Sequence, residues 1–247
     1  MPAIDLNADM GEYANTLQRE NETALMPLLT SCSIACCGHA GNTESMRATA
    51  MLAKKHGVRV GAHPSYPDRA GFGRRSRSYA HDELHESLIA QIKQLKGVLA
   101  AESMRLTHIK PHGALYNDAA KDAALARLIA SVSSGAVLVG PPNSELEITA
   151  QKAGLSFARE GFVDRLYLSN GALSPRTEPG AVLASTEARA QQALAIATGN
   201  TFSTADGELT IETDTLCIHS DSPGAVETAM AVRAALSKAA ISIRSFV

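Results

Sequence analysis

The chain predicts an α/β barrel of seven βα units, closed or nearly closed, and three observations carry that expectation. Short apolar runs alternate with helical patterns from end to end, at roughly 35 residues per unit. The runs end in chemistry-bearing residues: IDLNADMGE ends in carboxylates, and His39, His63, His112 and His219 close four others just before turn signals. Parallel strands in such folds deliver functional groups at their C-terminal tips. Within the runs polar and apolar side chains alternate, so one face suits a helix layer and the other a polar interior.

The first strand, Ala3–Asn7, sets the pattern. Ile4, Leu6 and Ala8 share one face, and Asp5, Asn7 and Asp9 share the other. Further strands are expected at Ser33–Cys37, Val58–Ala62, Leu106–Lys110, Ala136–Gly140, Ser156–Glu160 and Thr215–His219. Helices are expected at Glu22–Ser31, Thr43–His56, His81–Ser103, Asp118–Val132, Ser144–Ala153, Thr186–Gly199 and Pro223–Ala240. Thr43 marks one helix start, Pro223 sits in the first turn of the last helix, and Gly57, Gly154 and Gly199 follow helix ends. In the third strand Arg59, Gly61 and His63 share a face; in the fourth Leu106, His108 and Lys110 do. Charged groups on an interior face must pair, meet a ligand or hold a metal, because an unsatisfied buried polar group costs about 1–3 kcal/mol. A network of Asp5, Arg59 and Lys110 is the simplest structural pairing.

The 247 residues are 45% hydrophobic and 19% charged, which suits one soluble domain over 1–247 with no low-complexity linker. The formal net charge of −2, without a basic block, argues against a nucleic-acid surface. With no Trp and few aromatics, core volume must come from Ala, Leu, Ile and Val. No apolar stretch is long enough for a membrane span, and the N-terminus lacks a secretory pattern, so the cytoplasm is the expected compartment. Cys32, Cys36, Cys37 and Cys217 lack paired zinc spacing and read as reduced, structural thiols. A small-molecule substrate is expected; a homo-oligomer stays open.

DLNADMGE gathers Asn7, Asp9 and Glu12 with Asp5 at one tip. Clustered carboxylates raise one another's pKa, supplying a general acid or base, and they can hold a divalent cation such as magnesium or zinc. ACCGHAGNTE offers His39 as a ligand or proton carrier and Asn42 as a donor to substrate. In GAHPSYPDRAGFGRRS, His63 ends the strand and Arg74 suits a carboxylate or phosphate. HIKPHGALYN couples Lys110, His112 and Tyr116: the lysine can neutralise oxyanion charge, the imidazole can act as acid. EGFVDRLY adds Glu160, Asp164 and Arg165 for an amide or amino group, and HSDSPGA puts His219 and Asp221 at the last tip. His56, His81 and His85 lie on helices and read as surface residues. There is no phosphate loop and no nucleophile elbow.

Taken in order, DLNADMGE, ACCGHAGNTE, HIKPHGALYN, EGFVDRLY and HSDSPGAV resemble the LamB/YcsF family, the A subunits of ATP-dependent bacterial 5-oxoprolinases. The resemblance covers nearly the whole chain. It implies an irregular, TIM-like (β/α)7 barrel related to glycoside hydrolase and deacetylase barrels, hydrolysis of 5-oxo-L-proline to L-glutamate coupled to ATP, and partner subunits B and C. The family's usual NIACGFHAGD reads SIACCGHAGN here, with Ser33, Cys37, Gly38 and Asn42 changed, and its HGD has Ser220 in the middle. Asn42 therefore lacks the family's acid.

The expected chemistry gives Asp9 or Glu12 the task of activating water. Lys110 and Arg74 stabilise phosphate or oxyanion charge, and His112 protonates the departing nitrogen. Glu160 and Asp164 hold the ring N–H; Asn7, Asn42, Tyr116, Arg165 and His219 complete the substrate pocket. His39 and His63 are the candidate metal ligands. Two alternatives stand beside this reading: a metal-dependent deacetylase or amidohydrolase, and a non-catalytic subunit that carries substrate.

Overall fold

The computed structural model describes residues 2–247; Met1 of the expected domain lies outside them. Seven parallel strands close into a barrel: β1 (Ala3–Met10), β2 (Ser31–Ala35), β3 (Arg59–His63), β4 (His108–Ile109), β5 (Val137–Gly140), β6 (Phe157–Phe162) and β9 (Thr215–Cys217). The closing seam runs from β9 back to β1, with Asp5 opposite Thr215 and Asn7 opposite Cys217. An antiparallel hairpin, β7 (Phe202–Ser203) and β8 (Glu208–Leu209), and a short strand β10 (Ser242–Ile243) beside the start of β1 complete the strands.

Among the described residues, eight α-helices surround the barrel: α1 (Thr16–Leu25), α2 (Thr43–His56), α3 (His81–Ala101), α4 (Gly113–Ala119), α5 (Ala123–Val132), α6 (Glu145–Lys152), α7 (Thr186–Ala197) and α8 (Ala225–Lys238). The core lies between the two layers. Leu6, Ile34, Val60, Ile109 and Leu216 of the strands pack in one buried cluster with Met46, Ala50, Leu95, Leu99, Ala193, Val232 and Leu236 of the helices. Each fully buried aliphatic side chain contributes about 1.5–3 kcal/mol, so this layer holds the polar interior together from outside.

The strand alternation is confirmed by contacts across the barrel. Asp5 accepts from the hydroxyls of Thr30, Ser31 and Thr215, while Asn7 reaches Glu160 and Lys110. Arg59 departs from the expected interior network: it sits at the open start of β3 and is exposed. Hydroxyls from neighbouring strands satisfy Asp5 instead. Burial still raises the Asp5 pKa to about 6, ahead of the lowering by these hydroxyls. Gly61 is required by packing, since a Cβ there would run into the His108 ring.

Several boundaries moved for local reasons. The first helix begins at Thr16, because Asn15 accepts from the Gln18 backbone N–H, and it ends at Leu25 before a 3-10 turn over Met26–Leu28. Ser31 then already belongs to β2, which ends at Ala35. Cys36 and Cys37 therefore lie in the following turn, where Cys37 takes a φ of 71°. The expected Asp118–Val132 helix is two helices, α4 and α5, because Asp122 caps Ala124 and Leu125 and opens a second one. The last helix starts at Ala225, after a left-handed Gly224, so Pro223 precedes its first turn. β1 runs three residues past its expected end, β6 runs on to Phe162, and β9 stops at Cys217 before His219. Gly57, Gly154 and Gly199 do follow helix ends, all at positive φ.

Candidate active site at the barrel mouth

The strand tips bring the expected acids, imidazoles and lysine to one place. Asp9 lies near the end of β1 and Glu12 follows it. His39 comes from the turn after β2, His63 from the end of β3, and Lys110 and His112 from the segment after β4. All six are buried or nearly so. Lys110 Nζ lies 2.9 Å from Asp9 Oδ1 and 2.7 Å from Glu160 Oε1, and it reaches Asn7 Oδ1 at 3.3 Å. Glu12 Oε1 lies 2.6 Å from His39 Nε2, 3.3 Å from His112 Nδ1 and 3.8 Å from His63 Nε2. The rings of His39 and His112 stack in parallel, 3.6 Å apart.

The backbone fixes two of these imidazoles. His63 Nδ1 donates to the Lys110 carbonyl at 2.7 Å, and His112 Nε2 donates to the Phe72 carbonyl at 2.9 Å. A carbonyl can only accept, so both N–H positions are settled. The opposite nitrogens, His63 Nε2 and His112 Nδ1, then face each other at 3.0 Å. His112 thus has no free N–H for a leaving group, contrary to the acid role expected of it. A second imidazole is better placed: His219 Nδ1 meets Asp164 Oδ1 at 2.7 Å, and Ser222 donates to the other oxygen. Its ring stacks on Phe162.

Charge separates the two carboxylates at the mouth. Burial opposes ionisation of Asp9, but His63 and Lys110 overcome it and hold Asp9 well below the usual range. At Glu12 burial wins over His112 and His63, and the pKa rises. Burial opposes charge on Lys110, yet Asp9 and its other anionic neighbours keep it firmly protonated. Burial holds His39 and His112 neutral. Burial also opposes charge on His63, but Asp9 and Glu12 overcome it and raise the pKa. Burial, with Glu160 adding to it, keeps Tyr116 un-ionised at the bottom of the site. Burial opposes ionisation of Asp164 as well, but His219 and Ser222 outweigh it and pull the pKa to about 2.

Not every expected residue joins. Asn42 Oδ1 accepts from Ser45 N at the start of α2, in a reciprocal capping box, so the side chain is held on the helix. Arg165 donates to the carbonyls of Ala181 and Ser174, tying its own long loop together. Asp164 is already engaged by His219 and Ser222 through both oxygens, which draws it away from a ring N–H. Arg74 stays at the rim, paired with Asp221 at 2.6 Å and lying over Phe72. Glu160 is buried with Oε2 unpartnered.

Sequence reasoning missed two supports. Glu22 accepts from the backbone N–H groups of Gly11 at 2.7 Å and Glu12 at 3.1 Å, so it anchors the loop that carries Glu12. Burial raises its pKa to about 7. Its position on a helix otherwise rich in exposed residues gave no signal. His108, one pleat below Lys110, contacts Ser33 inside the barrel, and burial lowers its pKa to about 3. Strand parity had placed it there without a role.

A polar barrel mouth thus joins Lys110, carboxylates and four imidazoles, groups able to donate and accept protons. Residues 4–247 match the LamB/YcsF family, and the chain belongs to it. It is 43% identical, over 99% of both chains, to a Bordetella pertussis protein whose name makes it the A subunit of 5-oxoprolinase. It superposes on a lactam utilization protein from Thermus thermophilus with a TM-score of 0.89 at 40% identity, covering 99% of this chain and 100% of that one. A T48 deacetylase shares the fold alone, with a TM-score of 0.51 at 11% identity, covering 98% and 87%. Among the described residues, no helix is long and apolar enough to cross a membrane.

Proposed function

We propose that this chain is the A-type component of a 5-oxoprolinase and that its barrel mouth opens the lactam of 5-oxo-L-proline to give L-glutamate. The observation that carries this reading is the likeness, from end to end, to a protein named for the same component of 5-oxoprolinase. The site chemistry supports it. Hydrolysis of a lactam adds water to the ring carbonyl, breaks the C–N bond and gives the nitrogen a proton. The amide is resonance-stabilised; transfer of the terminal phosphoryl group of ATP to its oxygen releases ADP and makes the carbonyl carbon electrophilic. A first water then opens the ring to γ-glutamyl phosphate, and a second water cleaves that to L-glutamate and phosphate. ATP and the B and C subunits belong to the assembled enzyme in this reading, and the compartment is the cytoplasm.

Asp9 and Glu12 are the carboxylates placed to take a proton from the attacking water. Lys110 carries fixed positive charge beside them and offsets charge developing on the lactam oxygen. His219, oriented by Asp164 through Nδ1, relays a proton to the departing nitrogen through its other ring nitrogen; this task passes to it from His112, whose two ring nitrogens are taken up by the Phe72 carbonyl and His63. Glu160, Tyr116 and Asn7 line the floor against the ring N–H, and Arg74 at the rim meets the substrate carboxylate or phosphate.

The test is glutamate release from 5-oxoproline by this chain with its B and C partners, with and without ATP. ATP-dependent glutamate that vanishes when this chain is omitted supports the reading. Undiminished glutamate from the partners alone would overturn it, and ATP-independent amide cleavage by this chain alone would favour the deacetylase alternative.

A further inference from the structure

We infer that Glu12, His39, His63 and His112 form a binding site for one late first-row divalent cation, of the zinc class rather than the magnesium class. This inference stands apart from the lactam reading, because it rests only on how the four side chains meet.

The first argument is distance. A tetrahedral centre with bonds of about 2.0–2.1 Å has ligand–ligand edges of about 3.3 Å. The separations in the cluster scatter around that length. Glu12 Oε1 lies 2.6 Å from His39 Nε2, 3.3 Å from His112 Nδ1 and 3.8 Å from His63 Nε2, and the nitrogens of His63 and His112 are 3.0 Å apart. One ligand atom from each of the four residues falls within 4.8 Å of every other.

The second argument is the direction of lone pairs. The Lys110 carbonyl holds the far N–H of His63, and the Phe72 carbonyl holds the far N–H of His112. Metal-binding imidazoles are oriented in this way, by donating the other ring N–H to a carbonyl or carboxylate. The opposite ring nitrogens of His63 and His112 lie 3.0 Å apart, with Glu12 Oε1 at 3.8 Å and 3.3 Å from them and Asp9 Oδ2 at 3.3 Å from His63. Three acceptors converging on one point repel unless a positive species lies among them. A single proton on His63 can serve only one of Asp9, Glu12 and His112, which lie 3.3, 3.8 and 3.0 Å away. A divalent cation serves Glu12 and the imidazoles together.

Donor chemistry sets the class. Three imidazoles and one carboxylate suit zinc, cobalt and their neighbours, whereas magnesium demands oxygen ligands. Lys110 stays outside the set, held by Asp9 and Glu160. With Glu12 engaged as a ligand, Asp9 is the carboxylate left to receive a proton from water. A bound cation would supply polarisation of a substrate oxygen.

The experiment strips the folded chain with chelator and loads it separately with zinc, cobalt and magnesium. Bound metal per chain is measured after gel filtration, and the visible spectrum of the cobalt form is recorded. The expected result is one equivalent of zinc or cobalt, the ligand-field bands of a low-coordinate nitrogen–oxygen site, and no magnesium. Glu12→Gln and His112→Ala, checked by circular dichroism, lose the equivalent, while Asp221→Asn at the rim keeps it. A folded wild-type chain that retains no zinc or cobalt, or that fills with magnesium alone, overturns the inference. So does full zinc stoichiometry in both cluster variants. If the variants fail to fold, the wild-type cobalt spectrum decides, and bands of a hexaaquo-like ion count against the site. None of these readouts depends on lactam turnover, so either reading can fail alone.

Discussion

Replacing Glu22 by glutamine separates the anchoring of the Glu12 loop from the charge that does the anchoring. The wild-type carboxyl is buried beneath the loop, accepts from Gly11 and Glu12, and has its pKa raised from 4.5 to about 7. A raised carboxyl binds its proton more tightly in the folded chain than in the unfolded one. The stability it contributes is therefore fully present below pH 4.5 and lost as pH rises through 7. Between pH 5 and pH 8 the loss from this one group is about 2–3 kcal/mol. Glu22→Gln carries no titrating proton and has no such loss. The amide oxygen keeps one of the two backbone bonds; an unmet N–H costs about 1–3 kcal/mol. The variant should thus be less stable than wild type at pH 5 and draw level with it or pass it at pH 8. Urea unfolding of both chains at the two pH values measures the crossing, since other titrating groups act alike in both. Parallel pH–stability curves for the two chains would refute the reasoning.

Other outcomes follow from the same geometry. His219→Ala should lower turnover by roughly 10²–10⁴-fold with KM little changed, and Asp164→Asn should lower it in the same direction because the imidazole loses its orienting carboxylate; wild-type turnover of both variants in steady-state assays removes this pair from the chemistry. Asp164 is held at about 2 against an unfolded 3.8, so its stabilisation is present above 3.8 and lost as pH falls toward 2, a change of about 2 kcal/mol. Acid titration followed by circular dichroism should show a shallower loss in Asp164→Asn. Gly61→Ala places a methyl against the His108 ring and should lower stability by about 1–3 kcal/mol in denaturant unfolding.

The barrel was legible because period-two alternation and strand-end chemistry are local properties of the chain. Asp5, Asn7 and Asp9 on one face of β1 led directly to the interior that Lys110 crosses. What stayed hidden depends on partners distant in sequence. Nothing near Arg165 announces the carbonyls of Ser174 and Ala181 that occupy it, and His112 looks like a free acid until Phe72 arrives from another loop. Asn42 precedes Thr43 and Ser45, a capping pattern, and the cap takes the side chain that a substrate would need. The β7–β8 hairpin is too short to leave a periodic signal, and the α4–α5 break rests on one capping residue, Asp122.

The claim that the converging strand tips form the reacting centre is tested most directly by Asp9→Asn in the complex with the B and C subunits. Lys110 keeps Glu160 as a partner in this variant, so the fold and the assembly should persist while one of the two carboxylates placed to accept the proton, the one beside Lys110, is lost. Glutamate formed from 5-oxoproline per unit time, measured beside circular dichroism and co-elution of the three components, should fall by roughly 10²–10⁴-fold with both structural readouts unchanged. Wild-type turnover in an intact Asp9→Asn complex would place the chemistry elsewhere.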